Sequence, residues 1–128
     1  MKTIWVNGCF DILHVGHLEL LKHAKSLGDR LIVGIDTDER VREMKGDERP
    51  INTTLDRMRL LQGFECVDDV TYFGTDDELK NCLMGYAVDT MVVGSDYKNK
   101  TVIGSDLVES VVFFNRVGDY STTKTLNG

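Results

Sequence analysis

Short apolar runs recur along this chain with amphipathic segments between them, and that alternation restricts the fold more than any other feature. The stretch Arg30–Ile35 (RLIVGI) is almost continuously apolar, as expected of a parallel strand buried on both faces. Further strands are predicted at Lys2–Val6, Val67–Phe73, Thr90–Val93 and Val111–Phe114. Between the first two, Leu18, Leu21, Ala24 and Leu27 recur at helical spacing, and Gly28 is a natural stop. Asp38–Met44 reads as a short helix. Thr53 with Asp56 resembles a capping box opening the helix TLDRMRLLQGF. A further helix is predicted from Asp76 to about Tyr86, and a short one near Gly104–Ser110. Strands alternating with helices imply an α/β fold: a doubly wound, Rossmann-like, five-stranded parallel sheet, with residues 1–128 forming a single domain.

The bulk properties exclude several functions. The 128 residues carry a net charge of −6, which argues against a nucleic-acid or anionic-membrane partner but leaves room for a local basic pocket. No apolar run approaches the roughly 20 residues that span a bilayer, and the N-terminus has no signal-peptide pattern. Cys9, Cys66 and Cys82 are odd in number and lack metal-ligand spacing, so they read as reduced thiols of a cytoplasmic protein. Pro50 is the single proline; there is no low-complexity tract, linker or internal repeat.

Ligands of doubly wound sheets sit beyond the carboxyl ends of the strands. Those ends read NGCFD, IDTD, FGTDD, GSDYK and NRVGDYSTT, rich in Gly, Asp, Ser and Thr. The first runs on into LHVGH, which puts His14 and His17 at a helix start around Gly16. Unpaired N–H groups beside imidazoles make an anion site, and Gly16 has no side chain to keep a phosphate off the backbone. Each candidate also has an ordinary reading. One histidine caps the helix while the other is a satisfied, partly buried ring; a zinc pair lacks further ligands at recognised spacing. Lys45 reads as a phosphate ligand or a solvated lysine, and Arg57 and Arg59 as surface charges. Ser121–Thr123 reads as a simple cap, DTDER as a solvated turn, and His23 as a plain helix-face residue. Their joint placement at several strand ends is what favours a site.

In chain order, GCFDILHVGH (Gly8–His17), GDRLIVGIDTDE, KGDERPIN (Lys45–Asn52), DRM (Asp56–Met58), CVDDV (Cys66–Val70), GSDYK (Gly94–Lys98) and GDYSTT (Gly118–Thr123) resemble the small nucleotidyltransferases with the HxGH motif. The similarity covers nearly the whole chain without a large insertion. KGDERPIN, the arginine helix after it and GDYSTT look most like the adenylyltransferase domain of the ADP-heptose synthases. Glycerol-3-phosphate cytidylyltransferases share FDILHVGH and the terminal STT. The family's GGDY reads GSDY here, adding the Ser95 hydroxyl, and the chain continues past STT only as KTLNG.

The resemblance implies a nucleotidyltransferase that moves AMP from ATP to a phosphosugar such as D-glycero-D-manno-heptose 1-phosphate, releasing pyrophosphate. The alternative is CTP with glycerol 3-phosphate. By matching motif, His14, His17, Lys45 and Arg116 would act on the reacting phosphates. Gly8, Cys9, Phe10, Asp11, Gly16, Arg57, Gly94, Asp96, Tyr97, Ser121, Thr122 and Thr123 would bind the nucleotide. Magnesium is implied with the triphosphate, without assigned protein ligands, and a homodimer is the family expectation. A contrasting class is a nucleotide-holding module without turnover; the intact HxGH, Lys45, Arg116 and STT favour catalysis.

Overall fold

The computed structural model describes residues 1–94 and 101–114. Strands β1 (Thr3–Gly8), β2 (Arg30–Asp36), β3 (Asp69–Phe73), β4 (Thr90–Gly94) and β5 (Ser110–Phe114) form one parallel sheet in the order β3-β2-β1-β4-β5. The expected doubly wound sheet is what forms.

Side chains alternate across a strand, so the central strands need two apolar faces. Ile4, Val6, Leu31, Val33 and Ile35 build one core with Leu21 and Ala24 of α1 (Val15–Ser26) and Leu61 of α3 (Thr54–Gln62). Trp5, Ile32 and Met91 face the other way, against Phe73 and against Leu79 and Leu83 of α4 (Asp76–Gly85). Helix α2 (Asp38–Lys45) buries only Val41. At Gly34 the second core has no room for a side chain: a Cβ there would collide with the Trp5 indole ring.

Local chemistry sets the element ends. Thr37, Thr53 and Thr75 cap α2, α3 and α4 by accepting the N–H of Arg40, Asp56 and Glu78. Helix α1 starts at Val15, a turn earlier than the apolar spacing from Leu18 suggests, because His14 caps it. The helix expected near Gly104–Ser110 is one 3-10 turn, Ser105–Leu107, entered through Gly104 at φ 88°. Strand β3 starts at Asp69 rather than Val67, since the Val67 N–H closes a turn onto the Phe64 carbonyl.

Chain order reverses at β1, which has β2 on one side and β4 on the other. The β1–β2 ladder continues to Gly8↔Ile35, whereas the β1–β4 ladder comprises Ile4↔Thr90 and Trp5↔Met91. Beyond those pairs lies the switch point where open α/β sheets hold ligands.

Candidate active site

A cavity of about 680 Å³ opens there, within the range of small-molecule sites. Its walls include Gly8–Asp11 from the end of β1 onward, His14 and His17 at the start of α1, Asp36 at the end of β2, Arg40 and Lys45 of α2, Arg49, and Val92–Gly94 of β4.

The two histidines cap α1 reciprocally. The Gly16 N–H donates to His14 Nδ1 at 3.1 Å, and the His14 N–H donates to His17 Nδ1 at 3.1 Å. A nitrogen that accepts an N–H bears no proton, so each neutral ring carries its proton on Nε2 and is a donor from that edge. The ring centroids are 4.0 Å apart, and His17 also packs on Phe10 at 5.2 Å. The cap uses Nδ1 of both rings, so capping a helix does not in itself preclude a role toward a ligand. The Gly16 N–H, at the backbone a phosphate was expected to approach, is donated to His14.

Phe10 turns the loop through a left-handed φ of 51° and is 5 % exposed. Its ring sits 3.1 Å from where a Gly8 Cβ would be, so Gly8 makes space for the loop's anchor. Asp11 is also buried. Its carboxylate accepts the N–H groups of Ile51 and Asn52 and an Arg49 Nη1 donor at 2.8 Å, while Asn52 Nδ2 donates to the Asp11 carbonyl. Burial pushes the Asp11 carboxyl up, but the two backbone donors and Arg49 outweigh it and hold it below the ordinary range. Asp11 thus clasps the loop between α2 and α3 to the histidine loop.

Arg57 does not reach the cavity, and the expectation of a phosphate ligand there is corrected. The side chain is fully buried, and it is no surface charge either. Nε donates to the Asn52 carbonyl, Nη1 to the carbonyls of Cys9 and Asp36, and Nη2 to Asp38 Oδ1 and Thr54 Oγ1. All five guanidinium N–H groups are thereby used by the protein. The chain tolerates a buried cation here because it meets three backbone carbonyls and a carboxylate. Arg59, two residues on, is exposed.

At the end of β2, Asp36 Oδ1 accepts Arg40 Nε at 2.9 Å, and Arg40 Nη2 donates to Asp76 at 2.8 Å. Arg40 also lies 5.3 Å over the Phe73 ring. Burial raises the Asp36 carboxyl above its usual range, against the pull of Arg40. Reading DTDER as a solvated turn overlooked Asp36 and Arg40; the usable signal was an i, i+4 Asp–Arg pair starting on the last residue of a buried strand. Arg49 was overlooked as well. Lys45, exposed at the end of α2, makes no ion pair among the described residues and lines the cavity. Burial raises the Cys9 thiol, opposed by Lys45 and Arg57, and burial likewise raises Cys66 and Cys82; none is a ready thiolate. His23 stacks on Phe114 at 4.9 Å, away from the cavity walls. Asp96, Tyr97, Arg116, Ser121, Thr122 and Thr123 lie outside the described residues. Among the described residues no helix is long and apolar enough to cross a membrane, and no group of three or more His, Cys, Asp or Glu side chains could hold a metal ion.

The cytidylyltransferase-like family model matches residues 5–126. The bifunctional protein HldE of Helicobacter hepaticus is 43% identical over 125 residues, covering 98% of this chain and 26% of that protein. HldE of Sulfurimonas denitrificans is 45% identical over 125 residues, again 98% of this chain and 26% of the relative. The chain thus spans about a quarter of the length of these curated relatives. A crystal structure of the lipopolysaccharide core biosynthesis protein from Thermoplasma volcanium superimposes with a TM-score of 0.75 at 27% identity, covering 91% of this chain and 99% of that one.

Proposed function

Because the chain belongs to the cytidylyltransferase-like family, we propose that it transfers a nucleotidyl group from a nucleoside triphosphate to a phosphorylated sugar, with release of pyrophosphate. ATP and a heptose 1-phosphate are the favoured pair, on the strength of KGDERPIN, CVDDV and GDYSTT. The observation that carries the reading is the reciprocal histidine cap, which sets both imidazoles on the wall of a cavity at the sheet's switch point.

The reaction is a direct displacement. An oxygen of the acceptor phosphate attacks the α-phosphorus, the bond from that phosphorus to the bridging oxygen breaks, and pyrophosphate leaves with the electron pair. No protein nucleophile is required, in keeping with thiols raised by burial. Catalysis is then alignment and stabilisation of charge by preplaced donors. His14 and His17 donate to the triphosphate where negative charge grows, and Lys45 offsets the repulsion between the two anions. Arg116 and Ser121–Thr123 would complete the phosphate contacts. Magnesium would enter with the triphosphate and offset part of its negative charge.

Pyrophosphate release, measured with ATP and CTP against heptose 1-phosphate and glycerol 3-phosphate, tests the reading. The highest kcat/KM is expected for ATP with heptose 1-phosphate. CTP with glycerol 3-phosphate prevailing would replace the acceptor and base while keeping the histidine roles. Triphosphate binding without turnover of any acceptor would reduce the chain to a nucleotide-holding module.

A further inference from the structure

Among the described residues, none donates to the second carboxylate oxygen of Asp36. Oδ1 is held by Arg40 Nε at 2.9 Å, and the Asp36 carbonyl is held by Arg57 Nη1 at 2.7 Å, so side chain and backbone are both fixed. Arg40 is in turn held by Asp76 and lies over the Phe73 ring. Oδ2 takes part in no hydrogen bond with a described residue. The side chain is only 9% exposed, yet no described side-chain nitrogen or oxygen sealed from solvent lacks a partner. Oδ2 therefore keeps some exposure, and Asp36 is one of the residues that line the cavity. A carboxylate that is nine-tenths buried, rigidly held and short of a partner is an unusual thing to keep beside a ligand cavity.

We propose that Asp36 Oδ2 reads a hydroxyl group of the sugar acceptor, which makes Asp36 a specificity-determining residue of the transfer reaction. This rests on the function proposed above. An ionised carboxylate only accepts hydrogen bonds and repels phosphate, so its fitting ligand is an O–H donor. Lys45 is close enough to draw on the Asp36 charge. One wall thus offers a cation for the acceptor's phosphate and an anion for its hydroxyls. Strand order supports the same division: β2 flanks β1 on the side opposite β4, whose Gly94 end is assigned to the nucleotide. Ribose hydroxyls have the same donor chemistry, so the test must separate the two sources.

The test measures KM for phosphosugar and for ATP with the wild-type chain and Asp36→Asn, which keeps an oxygen for Arg40. Monodeoxy phosphosugars and 2′- and 3′-deoxy-ATP are run alongside. Asp36→Asn should raise the acceptor KM about tenfold or more, as for a lost hydrogen bond to a charged group, and move the ATP KM less than about twofold. One monodeoxy acceptor should cost the wild-type chain a similar factor, with no further loss in Asp36→Asn; the wild-type arm stands even if the variant folds poorly. An unchanged acceptor KM in Asp36→Asn, with no monodeoxy acceptor penalised by the wild type, overturns the proposal. So does a loss that appears for ATP and vanishes with a deoxy-ATP, or a raised magnesium requirement with acceptor KM unchanged. Absence of turnover by the wild-type chain on every phosphosugar fails the function itself, and this assignment with it.

Discussion

Replacing Arg57 by methionine keeps the approximate length of the side chain and removes every donor. Asp38 then loses its guanidinium partner, and the carbonyls of Cys9, Asp36 and Asn52 lose a charged donor at 2.8, 2.7 and 3.0 Å. Breaking a buried ion pair from one side costs about 3–5 kcal/mol, and each buried acceptor left short adds to that in proportion to how far water is excluded. A loss of about 4 kcal/mol is a large share of the roughly 5–15 kcal/mol that holds a domain together. At an unfolding entropy of about 2.1 cal/mol/K per residue, it lowers Tm by about 15 °C. Arg57→Lys keeps the charge but offers at most three donors, and should fall between the variant and the wild type. Thermal and urea unfolding followed by circular dichroism measure the effect, with Arg59→Met as the control on the same helix. Arg59→Met should stay within about 0.5 kcal/mol of wild type, as exposed substitutions do. An Arg57→Met midpoint within about 3 °C of wild type would refute the view that this cation ties three loops together.

His17→Ala should lower kcat on the order of 100-fold while changing triphosphate affinity far less, as for a donor that acts mainly in the transition state; His23→Ala, whose ring only stacks on Phe114, should leave kcat unaltered. Gly34→Ala forces a methyl group into the Trp5 ring and should cost about 1–3 kcal/mol or more; Trp5 is the sole tryptophan, so its fluorescence reports the displacement directly. Acid should act in two stages. Asp36, raised by burial, favours folding when protonated, so stability holds or rises slightly as pH falls through its raised value. Asp11, Asp38 and Asp68 are each raised by burial but more strongly lowered by their hydrogen-bonded partners, so their contribution is complete above the ordinary carboxylate range and lost as pH falls through their depressed values, below about 4. Urea midpoints across pH measure this, and Asp11→Asn should flatten the acid limb.

The layout of the fold was legible because it depends on patterns that short-range physics imposes. Ile4, Val6, Leu31, Val33 and Ile35 had to alternate with Trp5 and Ile32 if both faces were to be covered, and helix-period segments between such strands leave few topologies open. The Thr53 cap and the position of the histidine loop at a strand's carboxyl end followed from the same local rules. What the sequence could not reveal was where a charge would lie once loops distant in sequence came together. Arg57 and Arg59 look alike in the string DRMR, yet one is sealed among three carbonyls and the other faces water. Nothing near Asp11 in the sequence announces that Ile51 and Asn52, forty residues on, turn their N–H groups toward its carboxylate. Asp36 looks like the start of a polar turn until β3 and α4 bring Phe73 and Asp76 around Arg40. Periodicity is a property of neighbours along the chain, so the sequence alone determines it. The role of a polar group depends on which partners replace its water, and only the tertiary structure chooses them.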